Sequence, residues 1–193
     1  MSAVLQLRVT HEEYLAKERD ADTKSEYYAG QIFSMVGGTP THNTIAGNTL
    51  ANIHSRLQGT SCRPFNSDQR IRIQANGLAT YPDVSVVCGG LQLDPRDSDA
   101  INNPKVIVEV LSKTTESYDR GKKFNFYRLI DSLQEYLLIS QDEAHVECFR
   151  RQDNGDWILS IYKGLENKLK LFSIEAELLL AEVYEYVVFQ PGT

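Results

Sequence analysis

Positive charge is in short supply in this chain. Its 193 residues carry 20 Lys and Arg against 26 Asp and Glu, a formal net charge of −6. A protein that grips duplex nucleic acid usually shows an excess of cations. Any such role here needs a local basic surface, a divalent metal to offset phosphate repulsion, or both. Cysteine is scarce as well. Cys62, Cys88 and Cys148 are odd in number and form no ligand-spaced pair, which argues against a disulfide framework or a zinc knuckle. Buried thiols in a reducing cytoplasm are the expectation. Long apolar runs are missing: nothing approaches the roughly 18 residues of a membrane span, so no membrane role is expected. The stretch Met1 to Arg8 lacks the basic and apolar regions of a signal peptide. Internal repeats and low-complexity tracts are missing too, so one domain over residues 1–193 is expected, long enough to bury a sizeable core.

What is present reads as a mixture of helices and strands. Thr10 and Glu13 form a capping box at the start of a short helix. Ser25 to Val36 reads as a hairpin turning at Ala29-Gly30. A helix is predicted from about His42 to Leu57, with Ala46, Leu50, Ile53 and Leu57 on one face. Four strands are predicted over Arg63 to Ile73, Thr80 to Cys88, Lys105 to Leu111 and Glu135 to Ser140, with a helix at about Tyr118 to Ile130 between the last two. Val146 to Arg150 and Trp157 to Tyr162 read as a second hairpin, and Ser173 to Val187 as a closing helix. The fold class is α+β with an α/β-type core: one mixed sheet flanked by helices, an N-terminal hairpin and a C-terminal hairpin-helix extension.

One residue does not suit its surroundings. Glu109 interrupts the run Val106-Ile107-Val108-Glu109-Val110-Leu111, which reads as a strand buried on both faces. A carboxylate there must be paired, protonated or bound to a metal. Alternation puts Ile107, Glu109 and Leu111 on one face, and Asp83, Ser85 and Val87 on one face of the preceding strand. If the two strands are neighbours, Asp83 and Glu109 converge, and a divalent cation would relieve their repulsion. The plainer alternative makes Asp83 a strand-start residue behind Pro82 and pairs Glu109 with a core cation. Helical spacing puts Lys123 near the centre of the inward stripe of its helix, with Asp119, Phe126, Tyr127 and Ile130, and Lys122 toward its edge. An ammonium there wants an anion, for which Glu109 or a phosphate would serve; snorkelling to solvent is the alternative.

The segments Tyr81-Pro82-Asp83-Val84-Ser85, Val108-Glu109-Val110-Leu111-Ser112 and Tyr118-Asp119-Arg120-Gly121-Lys122-Lys123-Phe124, with Tyr127, resemble the restriction endonuclease family called Uma-two, abundant in cyanobacteria. That family belongs to the PD-(D/E)XK nuclease superfamily. The likeness extends to Glu26-Tyr27-Tyr28-Ala29-Gly30, His42-Asn43, Ser67-Asp68 and Gln134-Glu135-Tyr136-Leu137, and so spans about residues 10 to 187. It implies a restriction-endonuclease-like fold with its core at about 42–141, and Mg²⁺-dependent cleavage of DNA, Mn²⁺ substituting. Asp83, Glu109 and the backbone carbonyl of Val110 would be the metal ligands, and Asp83, Glu109 and Lys123 the catalytic set. The superfamily's lysine two residues after the glutamate is here Leu111; Lys123 matches its relocated counterpart. Glu26, His42, Asp68, Lys122 and Tyr127 are supporting candidates. For these the plainer readings are hairpin solvation for Glu26, an ion pair with Arg70 or Arg72 for Asp68, helix capping for His42 and core packing for Tyr127. A homodimer is also expected, with the apolar tail Leu178 to Phe189 as a surface that could cover a partner. The alternative to an enzyme is a catalytically idle nucleic-acid-binding or protein-interaction module on the same fold.

Overall fold

A computed structural model describes residues 8–189; the amino-terminal stretch read above for a signal peptide lies almost wholly outside them. The chain opens with α1 (His11–Arg19), started by the reciprocal Thr10–Glu13 capping box. The hairpin β1 (Ser25–Tyr28) and β2 (Gln31–Ser34) follows, with Ala29 and Gly30 both at positive φ as a two-residue turn demands. Next comes α2 (Pro40–Arg56), whose Thr39 side chain caps the His42 N–H and whose Pro40 sits at the first helical turn. Its inward face is Ile45, Thr49 and Ile53, with Leu57 beyond its end, while Ala46 and Leu50 pack at the margin.

Two six-stranded sheets form instead of the single one expected. Two predicted strands are each broken by a turn that carries the chain between sheets. Arg63 to Ile73 divides into β3 (Cys62–Asn66) and β4 (Arg70–Arg72). Thr80 to Cys88 divides into β5 (Ala79–Thr80) and β6 (Val84–Cys88). The second break falls at Pro82, which has no N–H for a ladder. A short pair, β7 (Leu93–Asp94) and β8 (Asp97–Ile101), went unpredicted because its sequence is polar. It completes the first sheet, ordered β2-β1-β5-β4-β8-β7.

The second sheet is built on β9 (Val106–Val110), which pairs antiparallel with β6 and parallel with β10 (Glu135–Ile139). The connection holds α3 (Glu116–Tyr118), a π-helical turn (Asp119–Lys123) and α4 (Phe124–Tyr127), where one regular helix was predicted. The hairpin β11 (His145–Arg151) and β12 (Trp157–Lys163) extends this sheet on one side and β3 on the other.

The closing helix is a further correction. Residues 168–183 form β13 (Lys168–Leu171), a 3₁₀ turn (Phe172–Ile174), β14 (Ala176–Leu179) and one turn of helix, α5 (Leu180–Val183). Ala176, Leu178 and Leu180 are buried at a spacing of two, the strand period hidden inside an apolar run. Leu178, Leu180, Val183 and Tyr184 pack in the chain's own core against α2 and the second sheet, while Tyr186 and Val188 of the same tail are exposed. The cysteines are corrected as well. Cys62 and Cys88 face each other across β3 and β6 and are joined as a disulfide, leaving Cys148 as the free, buried thiol. Alternation had concealed a cross-strand pair 26 residues apart in sequence. No helix among the described residues is long and apolar enough to cross a membrane.

Strand alternation divides the core. Val106, Val108 and Val110 face the cluster under α2 and α5. Ile107 and Leu111 face a second cluster, made with Ile71 and Ile101 of the first sheet and Tyr127, Ile130 and Leu133 of the helical connection. Glu109 points into this second layer, between the two sheets.

Candidate active site

Asp83 stands at the point where the chain re-enters the second sheet. The pairing of Val84 with Val108 brings it beside Glu109 on the adjoining strand. Its Oδ2 accepts the Val110 N–H at 2.7 Å and lies 3.3 Å from His42 Nε2, presented by the first turn of α2. Burial works against an imidazolium at His42, but the hydrogen bond and charge of Asp83, with help from Asn43 and Glu109, leave its pKa raised. Asp83 Oδ1 has no protein donor among the described residues.

Glu109 is 5% exposed. Its Oε1 accepts the Tyr127 hydroxyl at 2.7 Å and lies 2.8 Å from Lys123 Nζ, while Oε2 has no protein donor among the described residues. Each of the two facing carboxylates thus spends one oxygen on the scaffold and keeps the other.

Lys123 is the buried cation of the site, with a side chain 7% exposed. Besides Glu109 it approaches Glu26 Oε1 at 3.5 Å and Asp119 Oδ1 at 3.6 Å. Burial opposes the ammonium, yet Glu109, Glu26 and Asp119 together hold its pKa well above that of a free lysine. One ammonium does not balance the acids around it. Burial, with the negative charge of Asp119 and Asp83, outweighs the pull of Lys123 and pushes Glu109 up to about 8.

The sequence candidates therefore separate. Asp83, Glu109 and Lys123 come together, as do His42, Tyr127 and Glu26, whose Oε1 also accepts the Thr80 hydroxyl. Tyr127 is both core residue and donor to Glu109. Asp68 is the exception. Its side chain is 75% exposed and pairs with Lys24 at 2.9 Å, because the arginines expected to hold it are taken: Arg70 by Asp97 and Arg72 by Asp94. Lys122 lies outside the buried cluster, exposed, with its ammonium 5.2 Å from the Tyr28 ring centroid and 5.6 Å from that of Phe126. Asp119 was missed as a site residue, although it precedes Lys123 by four positions on the inward stripe. Glu135, another wholly buried carboxylate, belongs elsewhere: it accepts the Phe172 and Ser173 N–H groups and the Ser173 hydroxyl, a structural role.

The family model described as "Uma2: Putative restriction endonuclease" matches residues 11–181. The chain belongs to this family. Among curated relatives it is 37% identical over 185 residues to the uncharacterized protein slr1290 of Synechocystis, covering 94% of each chain. It is 34% identical over 156 residues to a second Synechocystis protein, sll1609, covering 81% of this chain and 88% of that one. The crystal structure of a putative nuclease belonging to DUF820 from Anabaena variabilis superposes with a TM-score of 0.74, covering 93% of this chain and 99% of that one. At 19% identity that likeness shows a shared fold. The Uma2 match contains every residue of the buried cluster.

Whether these residues suit a metal follows from their donors. Asp83 and Glu109 offer hard oxygen atoms, one left over on each. Among the described residues no group of three or more His, Cys, Asp or Glu is gathered as a cage. Two hard oxygen atoms would suit Mg²⁺ or Mn²⁺, which take one or two carboxylates and fill their sphere with water and substrate phosphate.

Proposed function

We propose that the protein is a metal-dependent endodeoxyribonuclease whose site is Asp83, Glu109 and Lys123. The observation that supports it best is the pairing of Asp83 and Glu109, each with one oxygen anchored and one remaining, beside a buried lysine that reaches Glu109 at 2.8 Å. Asp83 and Glu109, with the carbonyl of Val110, would hold Mg²⁺, or Mn²⁺ in its place. The ion supplies Lewis-acid polarisation of a phosphate and a water of lowered pKa.

The remaining work falls to the chain. Val110 N–H and His42 fix the rotamer of Asp83. Tyr127 and Lys123 fix that of Glu109. Lys123 keeps a positive charge where negative charge builds on the phosphate oxygens, and Glu26 and Asp119 hold that ammonium in place. A lysine arriving from the following helix thus does from Lys123 what Leu111 cannot do from the strand.

Nicking of supercoiled plasmid in Mg²⁺ or Mn²⁺ tests this reading. Asp83→Ala and Glu109→Ala are expected to abolish it while circular dichroism shows folded protein, and Lys123→Ala to lower it by about 10²-fold or more. Undiminished nicking by either carboxylate variant sinks the assignment. Cleavage of both strands in one binding event would use two copies of the chain. Sedimentation velocity showing only monomer would limit each binding event to a single-strand cut.

One observation favours a second reading, an idle nucleic-acid-binding module: the Lys123 ammonium already sits on Glu109. Calorimetric titration separates the two. An intact site takes up Mn²⁺ and loses that uptake in Asp83→Asn, whereas an idle module shows no uptake at all.

A further inference from the structure

The hairpin of β1 and β2 has two unlike faces. Tyr27 and Ile32 pack on α1 with Tyr14 and Leu15. The opposite face carries Glu26 and Tyr28, and Phe33 faces Glu26 across the hairpin. Directly opposed side chains in such a pair have Cβ atoms about 5 Å apart, and diagonal ones about 7 Å. Phe33 therefore stands beside the carboxylate that reaches Lys123 and within reach of Tyr28. Tyr28 in turn lies 4.7 Å from the Phe126 ring of α4, with the exposed Lys122 ammonium over both rings.

Tyr28 and Phe126 pack on the second core cluster from its edge, and two facts set their surroundings apart from ordinary core. Phe33 is 46% exposed, beside Glu26 on the hairpin. Lys122 has no carboxylate within ion-pair distance among the described residues, although acidic residues outnumber basic ones in the chain. Aromatic faces beside an unpaired cation form a surface on which unstacked bases lie while phosphates meet the ammonium. A duplex, whose bases are stacked on one another, cannot use the rings.

We propose that Phe33, Tyr28, Phe126 and Lys122 form a stacking platform for an unpaired nucleotide beside Glu26 and the buried cluster. The substrate is then a single-stranded segment of DNA, or a duplex opened there. This rests on the nuclease reading for its purpose but not for its test. The hairpin delivers both a carboxylate to the buried cluster and an aromatic ring to the strand being held.

The test is binding in EDTA, where cleavage is silent. Fluorescence anisotropy compares a labelled single-stranded oligodeoxynucleotide with the blunt duplex of the same sequence. The single strand should bind more tightly. Phe33→Ala and Lys122→Gln should each weaken its binding by roughly tenfold, with little effect on the duplex, and Phe33→Trp should restore it. Thermal melting of each variant checks that the half-exposed changes leave the fold intact. Equal binding of both forms overturns the platform, as does unchanged single-strand affinity in Phe33→Ala. A wild type that binds the single strand but cuts nothing in Mg²⁺ or Mn²⁺ refutes the nuclease reading and leaves the platform standing. One that cuts single-stranded DNA without dependence on Phe33 does the reverse.

Discussion

Lys123 and Glu109 illustrate how much a buried charge depends on its neighbours. The ammonium is surrounded by Glu109, Glu26 and Asp119, so Lys123→Met would leave acids buried without their cation. Breaking a buried pair on one side costs roughly 3–5 kcal/mol. Urea denaturation above about pH 8, where Glu109 is ionised, should show a loss of about that size, and the double variant Lys123→Met with Glu109→Gln should recover part of it. A loss below about 1 kcal/mol would mean that solvent already screens the ammonium.

Glu109 also gives a pH dependence with a definite sign. Folded, it keeps its proton up to about 8; an unfolded glutamate releases it near 4.5. Between those values the folded form binds more protons, so stability falls as pH rises through the window. Lys123 adds nothing there, because its folded and free values both lie higher. Calorimetry in EDTA from about pH 5 to pH 8 should show a declining melting temperature, and Glu109→Gln should flatten the decline. Parallel profiles for the two proteins would contradict the account.

At the level of elements, β6 is secured at both ends. Cys88 is bonded to Cys62 on β3, and Asp83 just ahead of the strand receives the Val110 N–H of β9. Closing a loop of this length stabilises by about 3 kcal/mol on chain-entropy grounds. The double variant Cys62→Ser with Cys88→Ser should therefore unfold at lower urea, and dithiothreitol should shift the wild type alone.

The reading of the elements from sequence succeeded where one period governs a segment. Examples are the capping box of α1, the Ala29-Gly30 turn, and the alternation that sets Glu109 on the face of Ile107. It failed where a tertiary partner overrides local pattern. The β14 strand hides in an apolar run because β13 pairs with it. The Cys62–Cys88 bond depends on which strands become neighbours. The breaks after Asn66 and before Val84 exist because a second sheet waits to receive the chain. Within the site, Lys123 was visible from helical spacing even though its turn is π-helical. Thr80 was not, since only the path from one sheet to the other brings it to Glu26.

For the whole molecule, the negative balance of the chain sets what a divalent cation should do. An ion bound to the folded form alone stabilises it by mass action, by about 2.7 kcal/mol at a hundredfold excess over its dissociation constant. Thermal unfolding should shift upward with added Mn²⁺ in the wild type and stay fixed in Asp83→Asn. An equal shift in both proteins would place the ion elsewhere on an acidic surface.

The two crossings between sheets have a mechanical consequence. Asp83 and Glu109 lie on one sheet, while Glu26 reaches the cluster from the other, so the cluster spans the seam between them. Any sliding of one sheet over the other would change the Glu26–Lys123 distance and leave Asp83 and Glu109 in register. A strand laid across that seam would therefore bear on how Lys123 is held, through its approach to Glu26.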